Sequence, residues 1–296
     1  MVPITFGILT LVFSLIHMIP GDPALQIAGE GARPEDVIAV RKALGLDQPL
    51  WTQYVHYLSR VAHGDLGKSF QTNESVMVEI RSRYPATIEL ACGAMLVALL
   101  VAFPLGIISA IYRNSWIDHV ARFFALIGVS MPSFWFGPLL IIAFAINHTW
   151  LPVSGRDEGL KSLILPSVTM GLAMAAILTR MIRVSLAEEL TQLYVTTAVA
   201  KGVTRPRAIF RHALKNALIP VITVLALQFG SLLTGAIITE QIFSWPGLGR
   251  LLIQSINTRD YPQVQASILI IALTYIIVNF ISDLLYGVVD PRVKLS

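Results

Sequence analysis

Six stretches of this chain are each long and apolar enough to cross a bilayer as a helix, which takes roughly 20 residues. They are residues 1–19, 90–112, 123–147, 162–179, 216–239 and 261–282. In lipid a backbone amide finds no water, so a spanning segment must satisfy its own hydrogen bonds. The composition agrees: 55% of the 296 residues are hydrophobic and 14% charged, against roughly 25% charged in soluble domains. The chain therefore reads as an all-α, six-span membrane protein. Its net charge of +4 does not point to nucleic acid, because the basic residues cluster at span ends. Membrane lipid is the expected solvent. Cys92 is the single cysteine, so no intramolecular disulfide is possible and the redox compartment is not readable.

Lys and Arg in short loops stay on the cytoplasmic side. With the N-terminus inside, the short inner stretches hold Arg113, Arg122, Arg180, Arg183, Lys201, Arg205, Arg207, Arg211, Lys215, Arg292 and Lys294. The short outer loops hold Arg156, Lys161, Arg250 and Arg259. Eleven against four puts both termini in the cytoplasm. The first stretch starts at Met1 without a basic flank and is too long for a cleaved signal peptide. It is read as a span oriented by its neighbours or by a basic leader outside this sequence.

The segment 20–85 then lies outside as a small helical insert. Pro34-Glu35-Asp36 opens a helix that Arg41-Lys42 and Gly45 close, matching the macrodipole and the preference for Gly after the last turn. A second helix follows Asp47, with Trp51, Tyr54, Val55, Leu58 and Val61 at helical spacing. That stripe serves packing or an interfacial anchor. Five spans from residue 86 to 288 form the core, and 289–296 are a cytoplasmic tail.

Prolines at Pro104, Pro132, Pro138 and Pro166 fall within spans, where each removes a backbone donor and predicts kinks or unwound turns. Met131-Pro132-Ser133 is the most irregular place, and either lines a pathway or is a packing kink. The spans are otherwise poor in ionisable groups: Glu89, Glu240 and Asp283 sit at their ends. Intramembrane acids are costly and tend to be functional, so this scarcity argues against an ion-coupled carrier. No Gly-x4-Gly-Lys-Ser/Thr phosphate loop occurs, and no cluster has metal-ligand spacing. If the chain moves solute uphill, its energy source sits on another polypeptide.

Between Leu190 and Ile219 the chain carries five basic residues and no acid. The pattern there is helix, Gly202, helix: residues 190–200, then 205–218. A structured basic element facing the cytoplasm suggests docking. Gly202 permits a sharp turn, and Ala198 and Ala200 allow close approach. Lys201, Arg205 and Arg207 either pair with partner carboxylates or are ordinary positive-inside charges.

Tyr194-Val195-Thr196-Thr197-Ala198-Val199-Ala200-Lys201-Gly202, followed by Arg211-His212-Ala213-Leu214-Lys215-Asn216-Ala217-Leu218-Ile219-Pro220, resembles the EAA loop of ABC importer permeases. His17-Met18-Ile19-Pro20-Gly21-Asp22-Pro23, Phe243-Ser244-Trp245-Pro246-Gly247-Leu248-Gly249-Arg250 and Leu285-Tyr286-Gly287-Val288-Val289-Asp290-Pro291-Arg292 resemble further blocks of the B-type permease subunit of dipeptide/oligopeptide importers. The resemblance runs through the whole chain. Two positions depart from the broad pattern: Thr196 stands where Glu is usual, and Lys215 where Pro is common.

The resemblance implies a MetI-like fold and half of a translocation pathway working by alternating access. It also implies a related C-type permease as partner, two cytoplasmic ATPases carrying ATP and Mg, and an extracytoplasmic solute-binding protein. This chain itself binds no cofactor and has no catalytic residue. Thr197, Ala198, Ala200, Lys201, Gly202, Arg205, Arg207 and His212 are then the ATPase-coupling candidates. Pathway or gate candidates are Met131, Pro132, Ser133, Gln228, Gly230, Thr234, Gly235, Trp245, Pro246 and Gly247. The small and polar groups near Gln228 equally suit helix packing, and the Trp245 turn is either an outer-gate lid or a structural loop. Rival readings are the same machine carrying glutathione, nickel or an oligosaccharide, a self-sufficient secondary carrier, and a scaffold without transport.

Overall fold

Helices fill the chain because a backbone surrounded by lipid must pair with itself. The computed structural model describes residues 2–18, 23–28, 31–43 and 45–289. The elements are α1 Val2–Met18, α2 Pro23–Ala28, α3 Pro34–Ala43, α4 Leu50–Ala62, α5 Val76–Ile111, α6 Trp116–Ser130 and α7 Ser133–Leu140. After α7 comes a π-helical stretch, Ile141–Ile146. Then follow α8 Leu160–Glu189, α9 Leu193–Ala200, α10 Arg205–Ala208, a second π-helical stretch Ile209–Ala213, α11 Leu214–Ile242, α12 Leu248–Asn257 and α13 Tyr261–Val289. No strand occurs among the described residues, only an isolated bridge between Lys68 and Ser75.

Four helical runs are long and apolar enough to cross a membrane: Val76–Ile111, Leu160–Glu189, Arg205–Leu233 and Tyr261–Ser282. A fifth exists if α6 and α7, bent by 101° to each other, count as one. At 17 residues, α1 is shorter than these. α5 begins at Val76 rather than Leu90, because its first turns carry Glu79, Arg81 and Arg83 while Val76 and Ile80 are buried. The third apolar stretch breaks at Met131-Pro132, where Met131 takes an extended conformation, as residues before proline do. Pro138 lies just before a π-helical stretch, whereas Pro104 and Pro166 ride inside unbroken helices.

The chain forms two compact units, Met1–Pro85 with Gly247–Ile276, and Ala86–Pro246 with Ile277–Ser296. In the first, the segment following α1 shares its core with α12 and the start of α13. Val76, Ile80, Leu248, Leu251 and Ala266 form that core. Asp260, 3% exposed, accepts hydrogen bonds from Ser69 Oγ and from Phe70 N at 3.1 Å, which fastens the 67–75 loop to the α12–α13 turn. α4 lies against α1: Tyr54 Oη and Thr10 Oγ1 are 2.6 Å apart, and Phe13 meets the rings of Tyr54 and Tyr57. Of the aromatic stripe read in α4, Tyr54 therefore packs inward, while Trp51 and Val55 point outward.

In the second unit α8 is the central helix. Two-thirds (67%) of its most apolar window is buried, against 22–33% in the other three long runs. Small residues make this possible. A Cβ on Gly171 would lie 2.6 Å from the carbonyl oxygen of Ala94, and one on Gly106 would lie 2.7 Å from Ile182 Cβ. Ala94, Ala98, Ala102, Gly106 and Ala110 recur every fourth residue on one face of α5, so its backbone can approach α8 closely.

Candidate functional site

The 190–219 segment folds as a short helix, a tight turn and the extended start of a long helix. α8 ends at Glu189, and α9 starts at Leu193 rather than Leu190. Gly202 closes α9 with φ +91°. Its N–H donates to Val199 O at 2.9 Å, and Val203 N–H donates to Ala198 O at 3.1 Å. This double bond pattern satisfies the last carbonyls of a helix and needs a left-handed residue, which glycine supplies. Beyond the turn, α10 opens on Arg205 and runs through the π-helical stretch directly into α11. The second helix of the motif is thus the first part of the spanning run Arg205–Leu233 and not a separate element.

The element sits in a socket. Val195, Ala208, Ala213 and Ala217 pack with Ala110 of α5 and with Leu186 and Ala187 of α8. Tyr194 adds a polar tie: its hydroxyl donates to Glu189 Oε2 and accepts from Asn216 Nδ2 at 3.0 Å, so α9 is bonded to the end of α8 and the start of α11. Burial, and then the Glu189 carboxylate, raise the Tyr194 phenol above its ordinary range.

What the socket leaves outward is apolar. Leu193 is 83% exposed and Phe210 58%, with Tyr194 and Val199 also exposed. Sequence reading singled out the charges and small residues here and missed these apolar groups. A signal was present, since α9 reads LYVTTAVA: a short helix without a charge cannot bury every side. Of the coupling candidates, Thr197, Ala200, Lys201, Gly202, Arg205 and Arg207 are exposed, while Ala198 and His212 are half-buried. Among the described residues Lys201, Arg205 and Arg207 enter no ion pair. Thr197 Oγ1 is turned back onto Leu193 O at 2.8 Å.

Beside the socket lies a carboxylate that sequence reading passed over. Asp118, at the start of α6, is 0% exposed. Arg183 of α8 donates to it from Nε and Nη2, each at 2.7 Å, Ser109 donates its hydroxyl, and Asn114 its N–H at 2.9 Å. Arg183 had been read only as a topology charge. The pair is separated by 65 positions in sequence, and no local spacing announces it.

The gate candidates fall at separate places. Met131, Pro132 and Ser133 form the α6–α7 break; Gln228 and Gly230 lie within α11, half-buried and buried. The side chains at Thr234 and Gly235 lie outside the described residues, as do residues 19–22 and 290–292 of the two terminal motifs. Trp245 is 0% exposed and belongs to the main core of its unit. Its indole N–H donates to Ala86 O at 2.8 Å, and its own N–H to Glu240 O at 2.8 Å. The Arg156 guanidinium lies 5.9 Å over its ring and is ion-paired with Glu89. Pro246 is half-buried and Gly247 buried.

Comparison with known proteins is consistent with this geometry. Residues 102–295 match a family model described as binding-protein-dependent transport system inner membrane component, and residues 1–91 match the model of its N-terminal part. The dipeptide transport system permease protein DppB of Escherichia coli K12 is 44% identical over 324 aligned positions, covering 99% of this chain and 96% of that protein. DppB of Alkalihalophilus pseudofirmus is 43% identical over 321 positions, with the same coverage. The glutathione transport system permease protein GsiC of Escherichia coli O6:H1 is 44% identical over 294 positions, again covering 99% and 96%. Among solved structures, the inward facing MetNI methionine ABC transporter aligns at TM-score 0.62 and 15% identity, covering 72% of this chain and 97% of that one. At that identity the likeness speaks for the fold alone.

Proposed function

Because this chain belongs to the family of binding-protein-dependent transport system inner membrane components, in its DppB-like branch, we propose that it is the transmembrane permease subunit of an ATP-driven importer of di- and oligopeptides. The observation that carries this reading is the end-to-end similarity to dipeptide permeases. The exposed Leu193, Val199 and Phe210 beside the unpaired Lys201, Arg205 and Arg207 suit a partner surface with an apolar cleft and an acidic rim. One of two ATPase subunits, which hold ATP and Mg, would seat on that element. An extracytoplasmic binding protein would deliver solute at the opposite face, and a C-type permease would complete the pathway. In this reading α1 and the α6–α7 pair are the first and third of six spans. The 20–85 insert is extracytoplasmic, and both termini face the cytoplasm. The 190–219 element would relay ATPase closure to the spans.

Glutathione import is the second reading, and one observation favours it. The alignment with the glutathione permease spans 294 positions, whereas that with Escherichia coli DppB spans 324, so at least 28 DppB-side positions have no counterpart in this 296-residue chain. Both solutes are peptides, which keeps the transport class the same.

The test is uptake by the full complex, reconstituted in proteoliposomes with its ATPases and binding protein and supplied with ATP. Labelled dipeptide should accumulate, and excess dipeptide should compete better than glutathione; the reverse order selects the second reading. Uptake driven by an ion gradient through this chain without the ATPases would overturn both.

A further inference from the structure

The buried Asp118–Arg183 pair lies where the socket of the docking element is built. Its ligands come from three helix ends: Ser109 from the last turn of α5, Asp118 from the first turn of α6, and Arg183 from the last two turns of α8. The socket walls are the immediate neighbours of these residues. Ala110 follows Ser109 in α5, and Leu186 and Ala187 lie one turn beyond Arg183 in α8.

A buried ion pair is weak evidence for stability, because desolvation offsets most of its attraction. What the arginine fork adds is geometry. Two parallel N–H···O bonds to one carboxylate fix both the distance and the rotation between the groups that bear them. The Tyr194 tie joins α9 to α8 and α11 and does not reach α6. The apolar contacts of the socket are methyl and methylene groups, which are non-directional and slide past one another. The carboxylate is filled: four donors from the protein face its two oxygens, and Arg122 Nε lies at 3.5 Å. It therefore has no capacity left for a ligand and acts on its neighbours alone.

We propose that Asp118 and Arg183 are a positioning pair that locks the ends of α5, α6 and α8 into one body, so that displacement of the 193–213 element reaches α6 as well as α8. α6 is the helix that leads into the Met131-Pro132 break, and without the lock it touches α8 through small-residue contacts such as Gly128 on Ala176. A push on the socket would then spread its walls instead of moving the break. The pair thus sets how much transport each ATP yields and not whether the ATPases bind. This rests on the permease reading above, which the wild-type complex tests separately: no ATP-dependent uptake by the wild type would sink that reading without touching the pair.

The experiment compares Asp118→Asn, Arg183→Gln and Arg183→Lys in the full complex. It measures labelled dipeptide accumulated and ATP hydrolysed in the same vesicles. The ratio of peptide moved to ATP consumed should fall about tenfold in Asp118→Asn and Arg183→Gln, within the range typical of coupling between sites. ATPase copurification should be unchanged. Arg183→Lys keeps the charge but loses the fork, and should fall between those variants and wild type. If the neutral variants do not assemble, Arg183→Lys alone decides. A ratio within twofold of wild type in every variant that assembles, or a loss of protein with the ratio intact, would overturn the proposal and leave the pair a purely structural tie.

Discussion

The two ends of the second compact unit solve the same problem in opposite ways. At the 86–90 and 240–245 end, the chain closes on itself. Trp245 is wholly buried and hydrogen-bonded to Ala86 O, Glu240 is wholly buried and accepts from Thr87 Oγ1 at 2.7 Å, and Gly155 N–H donates to Phe243 O at 2.9 Å. About 20 residues along α5, near 30 Å at 1.5 Å per residue, the other end is locked inside and unfinished outside. There the Asp118–Arg183 pair and the alanine-rich socket are enclosed, yet Leu193 and Phe210 stand in the open. Buried polar ties at both ends show that each is held in one arrangement. Apolar side chains stand in the open beside both, Trp150, Val153 and Leu160 flanking the closed end and Leu193 and Phe210 at the other. Only the second carries them on the docking element itself, and an interface core is where such surface belongs.

The widest separation between the ends should come from Trp245→Ala. It empties a filled site and removes the indole's hydrogen bond to Ala86 O, and large-to-small aromatic changes in cores cost about 3–5 kcal/mol. Thermal unfolding of the purified complex should drop steeply. A shift of only a degree or two would mean this end is not the closed knot described here. Next is Gly202→Pro at the open end. Proline cannot adopt φ +91° and has no N–H for Val199 O, so the α9 turn should fail. ATPase stimulation should vanish while membrane insertion is kept. Solute-stimulated hydrolysis at the wild-type rate would show that the turn carries no coupling.

Leu193→Glu separates the ends more finely. An 83% exposed side chain contributes little to the fold, so stability should move by less than about 0.5 kcal/mol. Copurification with the ATPases should nevertheless fall about tenfold or more, as loss of an apolar interface anchor does. Unchanged copurification would make Leu193 an ordinary exposed leucine.

How much of this was legible beforehand differs by kind of signal. Local patterns carried through: the helix opened by Pro34-Glu35-Asp36 ends at Ala43 with Gly45 at φ +66°, and the second begins at Leu50. The Gly202 turn stands where glycine and the flanking small residues put it. Hydropathy placed the apolar stretches but not the helix ends. It cannot see the amphipathic start of α5, nor that α10 and α11 are one run. Long-range pairing was illegible. Nothing near Asp118 marks Arg183 as its partner, and Trp245 beside Pro246 and Gly247 reads as an interfacial turn until Ala86 is seen beneath it. The composition of α9 held a clue that charge counting hid, because a short helix that reads LYVTTAVA, without a charge, cannot bury every apolar side chain.

Arg156 gives the smallest expected effect and the sharpest check on what ties the closed end. Its side chain is 43% exposed, and that of its partner Glu89 is 30% exposed. Ion pairs this open contribute about 0–1 kcal/mol, since water screens them and two long side chains lose freedom to hold one geometry. The guanidinium over the Trp245 ring adds about 0.5–1 kcal/mol at an exposed site. Arg156→Gln should therefore lower stability by about 1 kcal/mol, and less at high salt, where the ionic part is already screened. Arg156→Lys should retain most of it, because a point charge can still face Glu89. Peptide moved per ATP should not change in either variant, because the rigidity of this end rests on the buried indole and not on the partly solvated pair. Should Arg156→Gln uncouple transport as strongly as Asp118→Asn, the contrast between a closed end and a transmitting end would fail.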